Sequence, residues 1–154
     1  MAVAHPAPRH VLTRLAEFRR VLNDQFDACR RAPKERRGLA LRRACAGVEL
    51  LCHLQQHLLQ PVLGQAPDGL DALHDLTALS GRTADDAQQR AVAALLEGLV
   101  QLQFAQIDEA LADANLPAAR WAELDTAVAT VLAEWPAPAA PRQDLSRSAS
   151  SARV

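Results

Sequence analysis

Two histidines four residues apart, His53 and His57, are the first side chains whose type and spacing suggest chemistry. Imidazoles at i and i+4 stand above one another on a helix and can share a metal ion, as the paired histidines of zinc proteases do. In HLQQH, however, Leu54 and Gln55 stand where such a motif carries its glutamate. The apolar neighbours weigh further against a metal. Leu41, Ala44, Val48, Leu51, Leu58 and Val62 recur at steps of three and four, which at about 100° per residue draws one stripe along a helix. Gln55 lies at its centre, and the two rings project roughly 150–170° away. The spacing therefore predicts the amide inward and the imidazoles outward, in a surface or interface role.

A buried amide needs a partner, because an unpaired one costs about 1–3 kcal/mol. Gln103 and Gln106 are the candidates. Both fall within the stripe Val92, Leu95, Leu99, Leu102, Ile107 and Ala110 of a later segment. Amides bonded to one another across an interior would form a polar core without catalytic function, since an amide is neither base nor nucleophile near neutral pH. No Gly-rich phosphate loop, nucleophile elbow or paired buried carboxylate is evident, so no enzyme is expected.

A third constellation is basic: Arg30, Arg31, Lys34, Arg36, Arg37, Arg42 and Arg43 surround the first interhelical loop. Such a run is ordinarily a solvated helix end, and it could also receive an acidic protein partner of unknown identity. Without interleaved aromatics, and with a formal net charge of −1, nucleic acid is disfavoured as the main partner. Cys29, Cys45 and Cys52 are odd in number and show no CxxC spacing. They read as core fillers in a reducing compartment.

These residues must be positioned by helices. The chain has 154 residues, 49% hydrophobic but only 3% aromatic, with no tyrosine. An interior of alanine, leucine and valine without β-branched runs is a helical composition. Val11, Leu15, Phe18, Leu22, Phe26 and Cys29 mark a first helix over 9–31, and Pro33 breaks it. The second runs over 35–60 and stops at Pro61 and Gly64. Asp68 is the expected N-cap of a short third helix bearing Leu70, Leu73, Leu76 and Leu79. Thr83 and Asp86 suggest a capping box for a fourth, over 84–114. Pro117 opens a fifth, whose Trp121 and Trp135 are expected to clamp it onto the others, the alternative being an exposed seam for a homodimer. Residues 1–8 read as a flexible arm, 9–135 as one helical domain, and 136–154 as a disordered Pro/Ala/Arg/Ser-rich tail. No signal peptide or membrane span is evident, so a cytoplasmic protein with no membrane partner is expected.

In this order and spacing the chain resembles the hemerythrin-like (HHE cation-binding) domain family over 10–134. QQHLLQP, anchored on Pro61, stands where the family has an acidic run, apolar residues and proline. QIDEAL, from Gln106 to Leu111, fits the repeat of that theme, and NLPAARWAEL resembles the start of the terminal helix. The resemblance implies an all-α, up-and-down antiparallel four-helix bundle with an additional C-terminal helix, built in the family around two iron ions. Only His10 and His74 keep family histidine positions. The ligands of the two HxxxE motifs become Leu51, Gln55, Leu102 and Gln106, so the implied di-iron site is dismantled and no cofactor is favoured. The function then expected is a non-enzymatic binding or regulatory module. Sliding the second helix by two residues instead brings His53 and His57 into the frame with His10 and His74, an alternative iron or zinc site for oxygen or redox sensing. A weaker alternative is an anti-sigma-like helical regulator, supported by size and helicity alone.

Overall fold

The first helix forms where its apolar spacing demands. In the computed structural model, which describes residues 9–64 and 68–135, α1 (Arg9–Arg31) buries Val11, Leu15, Phe18, Leu22, Phe26 and Cys29. Arg30 and Arg31 occupy its last turn, where the helix dipole favours cations. The expected arm at 1–8, the tail from 136 and most of the turn after Gly64 lie outside the described residues.

After Pro33 the chain is helical from Lys34 to Leu63, in three parts: α2 (Lys34–His53), a π-helical turn (Leu54–Leu59) and α3 (Gln60–Leu63). Pro61 therefore does not stop the helix, as the sequence suggests it should. A proline inside an α-helix lacks an N–H and drives its ring against the carbonyl four residues back. The widened turn just before Pro61 relieves that conflict: the Gln60 N–H reaches back five residues to the Gln55 carbonyl. The helix ends instead at Gly64, whose φ of 71° is a left-handed cap open to glycine.

The remaining elements are α4 (Leu70–Ser80), α5 (Asp86–Asp113) and α6 (Ala118–Glu134). The residue before α4 is Gly69, at φ 84° and without a side-chain cap, so the expected capping by Asp68 is not made. Nor does Thr83 cap α5. Its hydroxyl donates to the Ser80 carbonyl at 2.9 Å, while Asp85 accepts from the Ala87 N–H at 3.2 Å.

The fold is all-α, with no strand among the described residues. α1 packs against α2, α5 and α6, α2 also packs against α4 and α5, α4 rests on α5, and the π turn meets α6. One apolar core joins them, including Leu22, Leu41, Val48, Leu51, Leu54, Leu59, Leu73, Leu96, Val100 and Phe104. Trp121 is buried and Trp135 half-buried, its ring edge-on to Phe18 at 5.2 Å between centroids. The two tryptophans thus hold α6 onto the other helices, in keeping with their spacing.

The orientation of α5 differs from expectation. Leu95 and Leu102 are 57% and 46% exposed, while Ala93, Leu96, Val100, Phe104 and Leu111 are buried with Val92 and Ile107. α5 carries two apolar ridges, and spacing alone does not choose between them. Phe104 decides: its ring meets Phe18 edge-on at 5.9 Å, which fixes the Leu96–Val100–Phe104 ridge inward.

Candidate functional site

Gln55 sits within the π turn and is 5% exposed; Gln103, on α5, is 0% exposed. The Gln55 amide donates from Nε2 to Oε1 of Gln103 at 3.0 Å. Gln103 in turn donates from Nε2 to the backbone carbonyl of Asp68, in the turn before α4. One chain of amides therefore ties three segments together through the interior. Each bond answers a desolvated polar group that would otherwise cost about 1–3 kcal/mol. Gln106 does not join it: it is half-buried and makes no side-chain hydrogen bond among the described residues. The placing of Gln106 and Leu102 on the inner face is corrected accordingly, since with Phe104 turned inward the neighbouring Gln103 takes the central position.

All four candidate histidines, His10, His53, His57 and His74, are exposed. The His53 and His57 rings lie beside one another, centroids 4.7 Å apart and planes tilted by 42°. His74 faces Gln56, with Nε2 3.4 Å from the amide nitrogen. Among the described residues, no three His, Cys, Asp or Glu side chains gather as a metal-holding group. The donors at the positions implied by the family resemblance do not fit iron. Leu51 is buried but has no lone pair, Leu102 points outward, and Gln55 is a neutral amide without the negative charge that iron centres use.

The basic cluster divides into two. Arg37 is 3% exposed and belongs to the interior. It pairs with Asp86, and donates from Nε to the Cys29 carbonyl at 3.3 Å and from Nη2 to the Ala32 carbonyl at 2.7 Å. It thereby locks the α1–α2 loop to the start of α5, which removes it from the candidate partner surface. Arg30 bridges Asp27 and Glu97. Arg31, Lys34, Arg36, Arg42 and Arg43 are exposed and make no ion pair among the described residues. These five are the exposed, unpaired cations of the cluster among the described residues.

The three cysteines are free and buried. Burial pushes the thiols of Cys29 and Cys45 up from their ordinary value. It raises Cys52 to about 11, with Glu49 adding to the effect. None is poised as a thiolate nucleophile. Residues missed in the sequence are Gln101, which accepts from Arg19 Nη2 at 2.7 Å and donates to Asn23 at 2.6 Å, and Gln25, whose buried Oε1 has no partner among the described residues. A lone glutamine beside the apolar stripe of α1 is the signal that could have found Gln25.

No helix among the described residues is long and apolar enough to cross a membrane. No family model, curated protein or solved structure matches this chain.

Proposed function

We propose that this chain is a hemerythrin-like four-helix bundle that has exchanged its metal centre for an amide-bonded core and serves as a non-enzymatic binding module. The observation that carries this reading is the Gln55–Gln103–Asp68 chain of hydrogen bonds, with His53 and His57 turned outward. A helix order in which α1 neighbours α2 and α5, and α4 bridges α2 and α5, supports the bundle. In this reading α6 is the additional helix, laid against α1 and the π turn.

The amides supply structure and orientation rather than chemistry. They fix which faces of the π turn and α5 look inward, and so which charges are displayed. The face left for a partner is the basic one, Arg31, Lys34, Arg36, Arg42 and Arg43, complementary to an acidic protein surface. Affinity capture with the intact chain and with Lys34, Arg36, Arg42 and Arg43 replaced by Gln tests this. Partners that bind the intact chain, disappear with the variant and weaken in salt are expected. An identical set of partners would refute the role of this face.

A further inference from the structure

We propose that the chain self-associates through the outer face of α5, as a two-fold antiparallel helix pair centred near Gly98. This rests on no part of the metal-free reading.

The exposed face of α5 is not the charged surface usual for an outward helix. Ala91, Ala94, Leu95, Gly98, Leu102 and Ala105 are all exposed and share one side of the helix. At about 1.5 Å per residue this uncharged strip runs for roughly 21 Å. Leu95 and Leu102 are two of the exposed large hydrophobics of the described residues, at 57% and 46%. A strip of this kind marks an interaction site more often than an isolated surface leucine does.

Gly98 lies at the middle of the strip. A Cβ added there would meet nothing within 4 Å, so the chain's own packing does not require a glycine. Glycine inside a helix costs about 1 kcal/mol relative to alanine. Its use at an open position is explained by a second backbone that approaches closely there. The small side chains of Ala91, Ala94 and Ala105, on the same face, leave room on either side.

The charges beside the strip indicate that the occupant is a second copy. Arg90 (side chain 66% exposed) and Asp108 (57%) lie on one flank of the strip, near its two ends. In a two-fold antiparallel pair the same flank of each helix meets on the same side, so a residue before the centre faces one an equal distance beyond it. Arg90, eight residues before Gly98, then comes within a turn of the second copy's Asp108, ten residues beyond it, on either side of the axis, and Leu95 and Leu102 fill the seam between. In a parallel pair these two charges would lie at opposite ends of the seam and could not meet. Within one chain Arg90 reaches the half-buried Asp86 at 3.2 Å and Asp108 reaches the half-buried Arg19 at 3.6 Å, and the exposed Arg90 and Asp108 ends are free to be shared or exchanged. A single helix pair is at the small end of specific interfaces, so a reversible dimer is expected rather than an obligate one.

Sedimentation equilibrium of the full chain over micromolar to millimolar concentrations tests the proposal. A monomer–dimer equilibrium is expected, weakened at least about tenfold by Leu95→Glu or Leu102→Glu, with helicity by circular dichroism unchanged. Arg90→Asp alone should weaken it, and Arg90→Asp with Asp108→Arg should restore it. Gly98→Leu, which would hold the two backbones apart, should weaken the dimer as strongly as Leu95→Glu does, whereas Arg120→Leu, on α6, should leave it unchanged. A chain that stays monomeric throughout, or a dimer indifferent to Leu95→Glu, Leu102→Glu and Gly98→Leu, would overturn the proposal.

Discussion

Replacing Gln103 by leucine nearly keeps the volume of the side chain but removes both its hydrogen bonds. The Nε2 of Gln55 loses the acceptor at 3.0 Å, and the Asp68 carbonyl loses its donor. Asp68 is exposed, so water can reach its carbonyl. Gln55 is 5% exposed and has no such recourse. The cost therefore falls mainly on one stranded amide and comes to about 2 kcal/mol. Gln55→Leu strands Gln103 Oε1 in the same way and should cost about 1–2 kcal/mol. With both replaced, no amide is left unpaired between them. The double variant should then lose about 1.5–2 kcal/mol less than the sum of the single losses, a coupling characteristic of direct partners. Urea denaturation followed by circular dichroism measures all three, with unchanged m-values as the control that the unfolded state is common. Additive losses, or a Gln103→Leu variant as stable as the parent, would show that the amide chain does not hold the interior.

Four further outcomes follow from the same packing. Arg37→Met strands the Cys29 and Ala32 carbonyls and leaves Asp86 with Arg90 as its remaining ion pair, and should cost about 3 kcal/mol in the same assay, whereas Arg36→Met should be near neutral. Gly47→Ala would place a Cβ 2.7 Å from Leu22 Cδ1 and should lower stability by about 1–3 kcal/mol, seen as an earlier thermal midpoint. Gln25→Met removes a buried acceptor that has no partner among the described residues and should raise stability by up to about 1 kcal/mol; a loss of that size would refute this. Cys52 is raised in the folded chain, so its contribution is complete below the ordinary thiol pKa and is lost as pH rises from there toward about 11. Cys52→Ser should flatten that alkaline decline in the pH–stability curve.

The helices are legible in the sequence because apolar residues recur in each at steps of three and four. α1 is bounded as its stripe suggests, from Arg9 to Arg31, and Leu70–Ser80 likewise. The inward face of Gln55 and the outward faces of His53 and His57 are also readable from the buried run Leu41, Ala44, Val48 and Leu51, although within the π turn Leu54 and Leu59 are buried and the expected Leu58 and Val62 only half-buried. α5 misleads because it has two ridges, and the choice between Leu102 and Gln103 is made by Phe18, far away in sequence, through Phe104. Arg37 reads like one more cation in a run. Its burial depends on the Asp86 carboxylate and two loop carbonyls meeting it, a coincidence of tertiary structure that composition does not encode. The π turn arises from Pro61 lying inside a helix that packing against α6 keeps intact, whereas local rules end the helix there.

The central claim, an interior closed by amides rather than by a metal, is tested most directly by elemental analysis of the protein expressed in iron- and zinc-supplemented medium. Well under one metal per chain is expected, with the same trace level in the His53→Ala, His57→Ala variant. Iron or zinc near one or two per chain, lost in that variant, would contradict it.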